Sequence, residues 1–376
     1  MFTFDLDYRA LFDERAWQLK AQGISGKSLR QVRSHVTNFW GTGPGAWTHE
    51  WTLHAMQAER AGRWLEASAC HGAARFPVIN TPERQQALAD QIRCYLRAAP
   101  EFPCHFSRKA LTVQLPTGAA QIMVHLFEPA KTTRRPRPLL CLSGGVYIGK
   151  FELHKLALTL ARFGGMRVCV LDMPGTGETT LPLQPESHLV YEQVIQQLRD
   201  PEARCGMLGI SIGGHWAAKL AMLGSVDAAV DIGGPVGFDT QPGASPLALN
   251  NALTGTIANA MQLAEMPDDS QARQLVQEFS LAHQGLLAGA PRVPLLVING
   301  SNDPYVSRQD TLGFAGKDNA EIWLIDRAGH CAAEQFVRLV PGVMLWLRQR
   351  LNVPAGLGSP VSLLGKVLMP RRKVLA

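Results

Sequence analysis

The stretch Leu208-Gly209-Ile210-Ser211-Ile212-Gly213-Gly214-His215 decides how the rest of this chain is read. It contains G-x-S-x-G. Upstream, Ala203 to Leu208 is short and mostly apolar and reads as a buried strand; downstream, Trp216 to Leu223 reads as a helix closed by Gly224. Ser211 therefore falls on a strand-to-helix turn, the setting of a nucleophile elbow. So sharp a turn leaves no room for a Cβ at Gly209 or Gly213. It holds the serine hydroxyl clear of the backbone, where a base can reach it. It also leaves the Ile212 N–H at a helix start, free to donate to a developing oxyanion. Five residues fit a glycine-rich turn with an incidental serine equally well, so the partners decide.

Two partners follow in the order such a site requires. Val293 to Ile298 is an apolar run that reads as a strand, and Asn299-Gly300-Ser301-Asn302-Asp303-Pro304 comes at its end. Glu321 to Ile325 is the last strand, and Asp326-Arg327-Ala328-Gly329-His330 follows it. Ser211, Asp303 and His330 thus run nucleophile, acid, base, each after a strand, and emerge on one edge of a parallel sheet. Asp326, Asp310 and, at a greater distance, Asp231 are the rival acids. Upstream, Leu139 to Leu142 is continuously apolar, as in a strand buried on both faces, and runs into Ser143-Gly144-Gly145-Val146. The Gly145 N–H is the expected second oxyanion donor, with Val146 as the alternative.

The remainder of the chain supports this frame. Residues 1–106 carry helical patterns only: Tyr8 to Gln22, Lys27 to Phe39, Trp47 to Arg60, Trp64 to Arg75, and Glu83 to Ala98 after a Thr81 cap and Pro82. From there strands and helices alternate, which places a boundary near Pro100 to Pro103, a catalytic unit over 107–350 and an unassigned tail over 351–376. Lys109 to Leu115 and Ala120 to Glu128 read as a hairpin, Glu152 to Phe163 as a helix, Arg167 to Leu171 and Val226 to Asp231 as strands, and Leu339 to Arg350 as the final helix. Leu247 to Leu287 reads as mostly helical, a wall or cover for the pocket. Two phosphate-loop decoys fail. Gly23 to Ser28 is too short, and Gly144 to Lys150 is followed by Phe151 where a Ser or Thr must hold magnesium.

Composition narrows the class. The formal charge is +6 over 376 residues, and part of it sits in Arg134-Arg135-Pro136-Arg137 and Arg371-Arg372-Lys373, read as solvated loop and tail. No aromatic residues interleave these patches, so no nucleic-acid partner is expected. The seven cysteines are odd in number and lack C-x-x-C, which favours reduced, buried thiols and a cytoplasmic protein. The acidic start Met1 to Asp7 lacks a signal-peptide core, and no apolar run suffices for a membrane span, so no membrane partner is expected. The histidines show no zinc-site spacing, and His49, His54 and His215 read as surface or packing residues.

The whole chain resembles the α/β-hydrolase superfamily, with a mostly parallel central sheet flanked by helices. More narrowly, it is similar to the FrsA-like esterases and the 2,6-dihydropseudooxynicotine hydrolase group, which includes fungal hydrolases that shorten polyketide pigment precursors. The resemblance rests on Trp47 to Ala98, on Ser143-Gly144-Gly145 with Lys150 and Glu152, on Asp172-Met173-Pro174-Gly175-Thr176-Gly177, on the elbow, and on Asp303 and His330. It implies that the N-terminal helices cap the serine. It also implies hydrolysis of esters or of carbon–carbon bonds beside a ketone, no metal or cofactor, and a homodimer. Asp172 is expected to be a structural anchor. Where members of the group carry an acid two places after the paired glycines, this chain has Tyr147, a candidate substrate contact suited to a less polar ligand.

The expected activity is a serine hydrolase acting on an ester, thioester or ketone-adjacent C–C bond of a fairly hydrophobic small molecule. Ser211 is the nucleophile, His330 the base, Asp303 its orienting acid, and Ile212 and Gly145 the oxyanion donors. Three other readings use the same residues. One is an acyltransferase or cyclase on this triad. Another is a non-catalytic binding protein on a hydrolase scaffold. The last makes the N-terminal helices a docking module for a carrier protein.

Overall fold

A computed structural model of the protein describes residues 1–130, 136–237, 247, 252–354, 370 and 372–375. Five helices come first: α1 (Tyr8–Gln22), α2 (Gly26–His35), α3 (Trp47–Arg60), α4 (Trp64–Ala74) and α5 (Pro82–Ala98). Their ends follow local chemistry. The Asp7 carboxylate accepts from the Arg9 and Ala10 N–H groups to start α1, and Gly23, at φ 113°, ends it. Ser25 caps α2, so the Gly23 to Ser28 decoy is a helix stop followed by a helix start. Thr81 caps α5 by accepting from the Arg84 N–H, with Pro82 opening the helix.

The sheet follows. Its strands and intervening helices are β1 (His105–Leu115), β2 (Gly118–Glu128), β3 (Leu139–Ser143), α6 (His154–Arg162), β4 (Arg167–Leu171), α7 (His188–Leu198), β5 (Cys205–Ile210), α8 (Ile212–Leu223), β6 (Ala228–Ile232), α9 (Leu253–Ala260), α10 (Asp269–Phe279), β7 (Leu295–Gly300), α11 (Arg308–Thr311), β8 (Ala320–Ile325), α12 (Phe336–Arg350) and β9 (Arg372–Leu375). The strand order is β1-β2-β4-β3-β5-β6-β7-β8-β9. β4, β3, β5, β6, β7 and β8 pair in parallel, and the hairpin at one edge and β9 at the other are antiparallel. Parallel strands are covered on both faces, which explains why β3, β5, β6 and β7 are buried at every position.

Alternate residues along each strand feed two cores. Met207, Ala229 and Val297 face one together with Trp216 and Tyr191; Leu208, Val230 and Ile298 face the other with Leu339 and Met344. A third core, built on Phe12, Trp47, Trp51 and Phe76, lies among the N-terminal helices, and Tyr147 packs against it. The register sets the strand ends level: Ser143 pairs with Gly209, Ile210 with Ile232, Ile232 with Ile298, and Gly300 with Ile325.

Several expectations are corrected. The strand before Ser211 is Cys205–Ile210 and the helix begins at Ile212, so the elbow is tighter than the sequence suggested. The paired Gly213-Gly214 reads as a turn yet forms the first helical turn. α7 was not expected, and β9 gives the tail an edge strand. Arg137 is buried and its Nη1 donates to the Gly165 carbonyl at 3.2 Å, so it is no solvated residue; Arg134, Arg135 and Arg371 lie outside the described residues. Within 247–287 the described helices are α9 and α10; residues 248–251 of that stretch lie outside the described ones. Six of the seven cysteines are buried and none is in a disulfide. Among the described residues no helix is long and apolar enough to cross a membrane.

Candidate active site

Ser211 sits between β5 and α8 at φ 57° and ψ −131°. This is a costly conformation for a residue with a side chain, of order 1–3 kcal/mol. Its surroundings impose it. The Ser211 N–H donates to the Ile232 carbonyl at 2.8 Å, and its own carbonyl accepts from the Gly214 N–H at 2.7 Å. Close packing requires the two glycines of the motif. A Cβ on Gly209 would fall 1.9 Å from the Gly213 carbonyl oxygen, and one on Gly213 would fall 2.5 Å from that of Ser143.

The level strand ends bring three distant residues together. His330 Nε2 lies 2.9 Å from Ser211 Oγ, and His330 Nδ1 lies 2.7 Å from Asp303 Oδ2. The Asp303 side chain is 1% exposed and that of His330 24% exposed, so the acid is shielded while the imidazole keeps one side toward the opening. Burial alone would raise the Asp303 carboxyl. Hydrogen bonds from His330, the Tyr305 N–H and Asn299 outweigh it and hold the group below its ordinary value. Burial would likewise lower the His330 imidazole, but Cys331 and the Asp303 carboxylate beside it raise it above 6.5.

The other acids are occupied elsewhere. Asp310 accepts from the Val236 and Gly237 N–H groups, and exposed Asp326 faces Arg327. Asp231 is buried behind the elbow, accepts from the Gly234 N–H at 2.7 Å, and is pushed well above the carboxylate range by desolvation. His215 is buried in α8 with Nδ1 2.8 Å from the Pro235 carbonyl, and burial lowers it to about 3.

Asn299, which carried no motif, joins the two loops. Its Nδ2 donates to Asp303 Oδ2 at 2.8 Å, and its Oδ1 accepts from the Cys331 N–H at 3.1 Å. Cys331 and Ala332, at φ 57° and 48°, turn the chain sharply after His330. Ile212 opens α8, so its N–H has no acceptor within the helix. Gly145 lies against it: a Cβ there would be 3.3 Å from Ile212 N and 3.0 Å from Ser211 Oγ. Tyr147, two residues on, packs its ring edge-on against Phe76 at 5.0 Å, and its half-buried side chain lies between the N-terminal helices and the sheet.

The loop after β3 is fixed from below. Lys150 is fully buried; its Nζ pairs with Asp172 Oδ2 and lies 2.8 Å from Glu178 Oε2, while Asp172 Oδ1 accepts the Lys150 N–H at 2.8 Å. Burial would raise the Asp172 carboxyl, but Lys150 reverses that and holds it low. Lys150 is therefore committed to an internal ion pair and is not a phosphate ligand. Above the site, Glu14 of α1 accepts from the Tyr305 hydroxyl at 3.3 Å, and the Tyr305 ring stands edge-on to His330 at 5.1 Å. Glu59, His71 and Cys94 bring potential metal-ligating atoms within 4.8 Å of one another in the helical region, but Arg93 and His71 already engage the Glu59 carboxylate.

Comparison with known proteins agrees with this architecture. Esterase FrsA of Vibrio cholerae serotype O1 is 26% identical over 315 residues, covering 78% of this chain and 74% of that protein. Among solved structures, wild-type AbyA5 superposes with a TM-score of 0.81 at 22% identity, covering 96% of this chain and 100% of that one. A 2,6-dihydroxy-pseudo-oxynicotine hydrolase superposes at 0.63 and 20%, covering 93% and 95%. At these identities the structures speak for the fold, an α/β-hydrolase. The profile of the family described as Esterase FrsA-like matches residues 13–351, nearly the full chain, and the protein belongs to this family of α/β-hydrolase enzymes.

Proposed function

We propose that the protein is a serine hydrolase that cleaves an ester, thioester or ketone-adjacent C–C bond of a fairly hydrophobic small molecule through an acyl-enzyme. The observation that carries this is the unbroken chain Ser211 Oγ, His330, Asp303 at 2.9 and 2.7 Å. Ser211 Oγ attacks the carbonyl carbon as His330 Nε2 takes its proton. Asp303 holds the imidazole by Nδ1 and stabilises the imidazolium. The Ile212 and Gly145 N–H groups receive the oxyanion. Collapse expels the leaving group, which takes the proton from His330. Water, deprotonated by the same imidazole, then releases the acyl group as an acid. Residues 1–106 act as the cap, and contacts from Glu14 to Tyr305 and from Arg75 to Glu152 support that role. Tyr147 lines the substrate's approach.

The test is intact-mass spectrometry of wild type and Ser211→Ala after exposure to a fluorophosphonate, followed by turnover of short and long acyl esters. One adduct in wild type and none in the variant is the expected result. A wild type that stays unlabelled would sink the proposal.

A further inference from the structure

The loop that carries the Gly145 N–H is held from two directions. On the sheet side, Ser143 pairs with Gly209, and Ser143 Oγ donates to the Gly144 carbonyl at 3.4 Å. From there the chain turns, with the Ile148 N–H donating to the Gly145 carbonyl at 3.3 Å. The turn is closed tightly on itself: a Cβ on Gly144 would fall 2.0 Å from the Ile148 carbonyl oxygen. A shift at Ile148 is therefore passed to Gly144 and Gly145.

Beyond the turn, two successive N–H groups are gripped by carboxylates. The Lys150 N–H goes to Asp172, inside the catalytic unit, and the Gly149 N–H goes to Glu152 Oε2 at 2.9 Å. Glu152 is itself held by the N-terminal helices. Its Oε1 accepts from Arg75 Nη2, at the end of α4, and from Gln91 Nε2 of α5, each at 3.1 Å. Arg75 Nε in turn donates to Gln91 Oε1. The Arg75 and Glu152 side chains are 12% and 8% exposed, and Gln91 is buried. The carboxylate comes this close to α4 because Gly72 has no side chain; a Cβ there would fall 2.9 Å from Glu152 Oε1. Three donors and exclusion of water fix the orientation of the Glu152 carboxylate. The same N-terminal region touches the tip of the turn, where the Tyr147 ring meets Phe76.

We infer that Glu152 is a positioning residue for the oxyanion donor Gly145, and that the seating of the N-terminal helices, through Arg75 and Gln91, sets the alignment of that donor. This deepens the proposed function and rests on its oxyanion assignment. The helices then do more than cover the serine. Without Arg75 and Gln91, Glu152 has no fixed orientation from which to hold Gly149, so the oxyanion site is complete only while the helices are docked. A misplacement of about 1 Å at such a group costs roughly 100-fold in rate.

The test compares two fluorophosphonate probes that differ in one atom, P=O in one and P=S in the other, and that both lose fluoride to Ser211. Sulfur is the weaker hydrogen-bond acceptor. The ratio of the two labelling rates, divided by the same ratio for hydroxide in buffer, therefore reads the oxyanion donors. A ratio taken within one preparation is insensitive to the folded fraction, which separates positioning from a loss of stability. Wild type should favour the P=O probe by roughly 100-fold. Arg75→Met and Glu152→Gln should each cut that preference by about 10-fold or more, since glutamine has one acceptor oxygen to serve both the helices and Gly149. Arg33→Met removes an exposed ion pair with Asp13 elsewhere on the helices and should leave the preference unchanged. A preference that is unchanged in Arg75→Met or Glu152→Gln, that falls equally in Arg33→Met, or that is absent from a wild type that labels would overturn the inference and leave the serine nucleophile standing. A wild type that neither probe labels would overturn the proposed function and this inference with it.

Discussion

Gly145→Ala tests the oxyanion assignment with the least chemistry changed. The added Cβ would lie 2.8 Å from Ser211 Cβ and 3.0 Å from Ser211 Oγ. Carbon atoms rest about 3.5–4.0 Å apart, so roughly 0.7 Å or more of overlap must be relieved. Ser211 cannot recoil. Its backbone is bonded on both sides, to Ile232 and Gly214, and Gly209 behind it is packed against the Gly213 carbonyl. The loop after β3 must give way, carrying the Gly145 N–H off the place where the oxyanion forms. Loss of one such donor lowers kcat by about 10²–10³-fold. Overpacking costs stability by about 1–3 kcal/mol, so the variant should still fold. Steady-state ester hydrolysis with a thermal melt reads both quantities, and Gly289→Ala, where nothing lies within 4 Å of the new carbon, is the neutral control. A Gly145→Ala enzyme with kcat within about threefold of wild type would refute the placement of the oxyanion against Gly145.

The pH profile should follow His330. The base works when neutral, so kcat/KM should climb as pH rises through a His330 pKa raised above 6.5. Asp303→Asn removes a group that raises that pKa, so the ascending limb should move to lower pH while kcat falls by about 10⁴-fold; a limb that stays in place would separate Asp303 from His330. Lys150→Met should leave Asp172 buried without its cation, Glu178 keeping Arg108, and cost about 3–5 kcal/mol in denaturant unfolding, as breaking a buried pair does. A loss below about 1 kcal/mol would mean that water already reaches the cluster.

Much of this was legible in the chain because it is written locally. A strand covered on both faces reads as a near-continuous apolar run, and β3, β5 and β7 declare themselves that way up to their polar ends. Asp303 and His330 stand just past such strands, so the order of three loops predicts a meeting that the register then produces. α7 also carries a local signal, with Val190, Tyr191, Val194, Ile195 and Leu198 at helical spacing. The elbow was displaced for a physical reason: Gly213 and Gly214 mark a turn by type, yet their missing side chains are what let the helix begin against Ser143 and Asp231.

Asn299, Tyr305 and Arg15 had no such signal. An asparagine at a strand end usually serves its own turn, and here it spans two loops, meeting Cys331 across 32 positions. Arg15 on α1 looks like any charge on a helix until Tyr147, 132 residues later, closes over it. Glu14 finds Tyr305 across 291 residues. The order of catalytic groups is local to strand ends and can be read one loop at a time. What surrounds the substrate comes from elements that meet only after folding, so the same sequence that discloses the reaction class withholds the ligand.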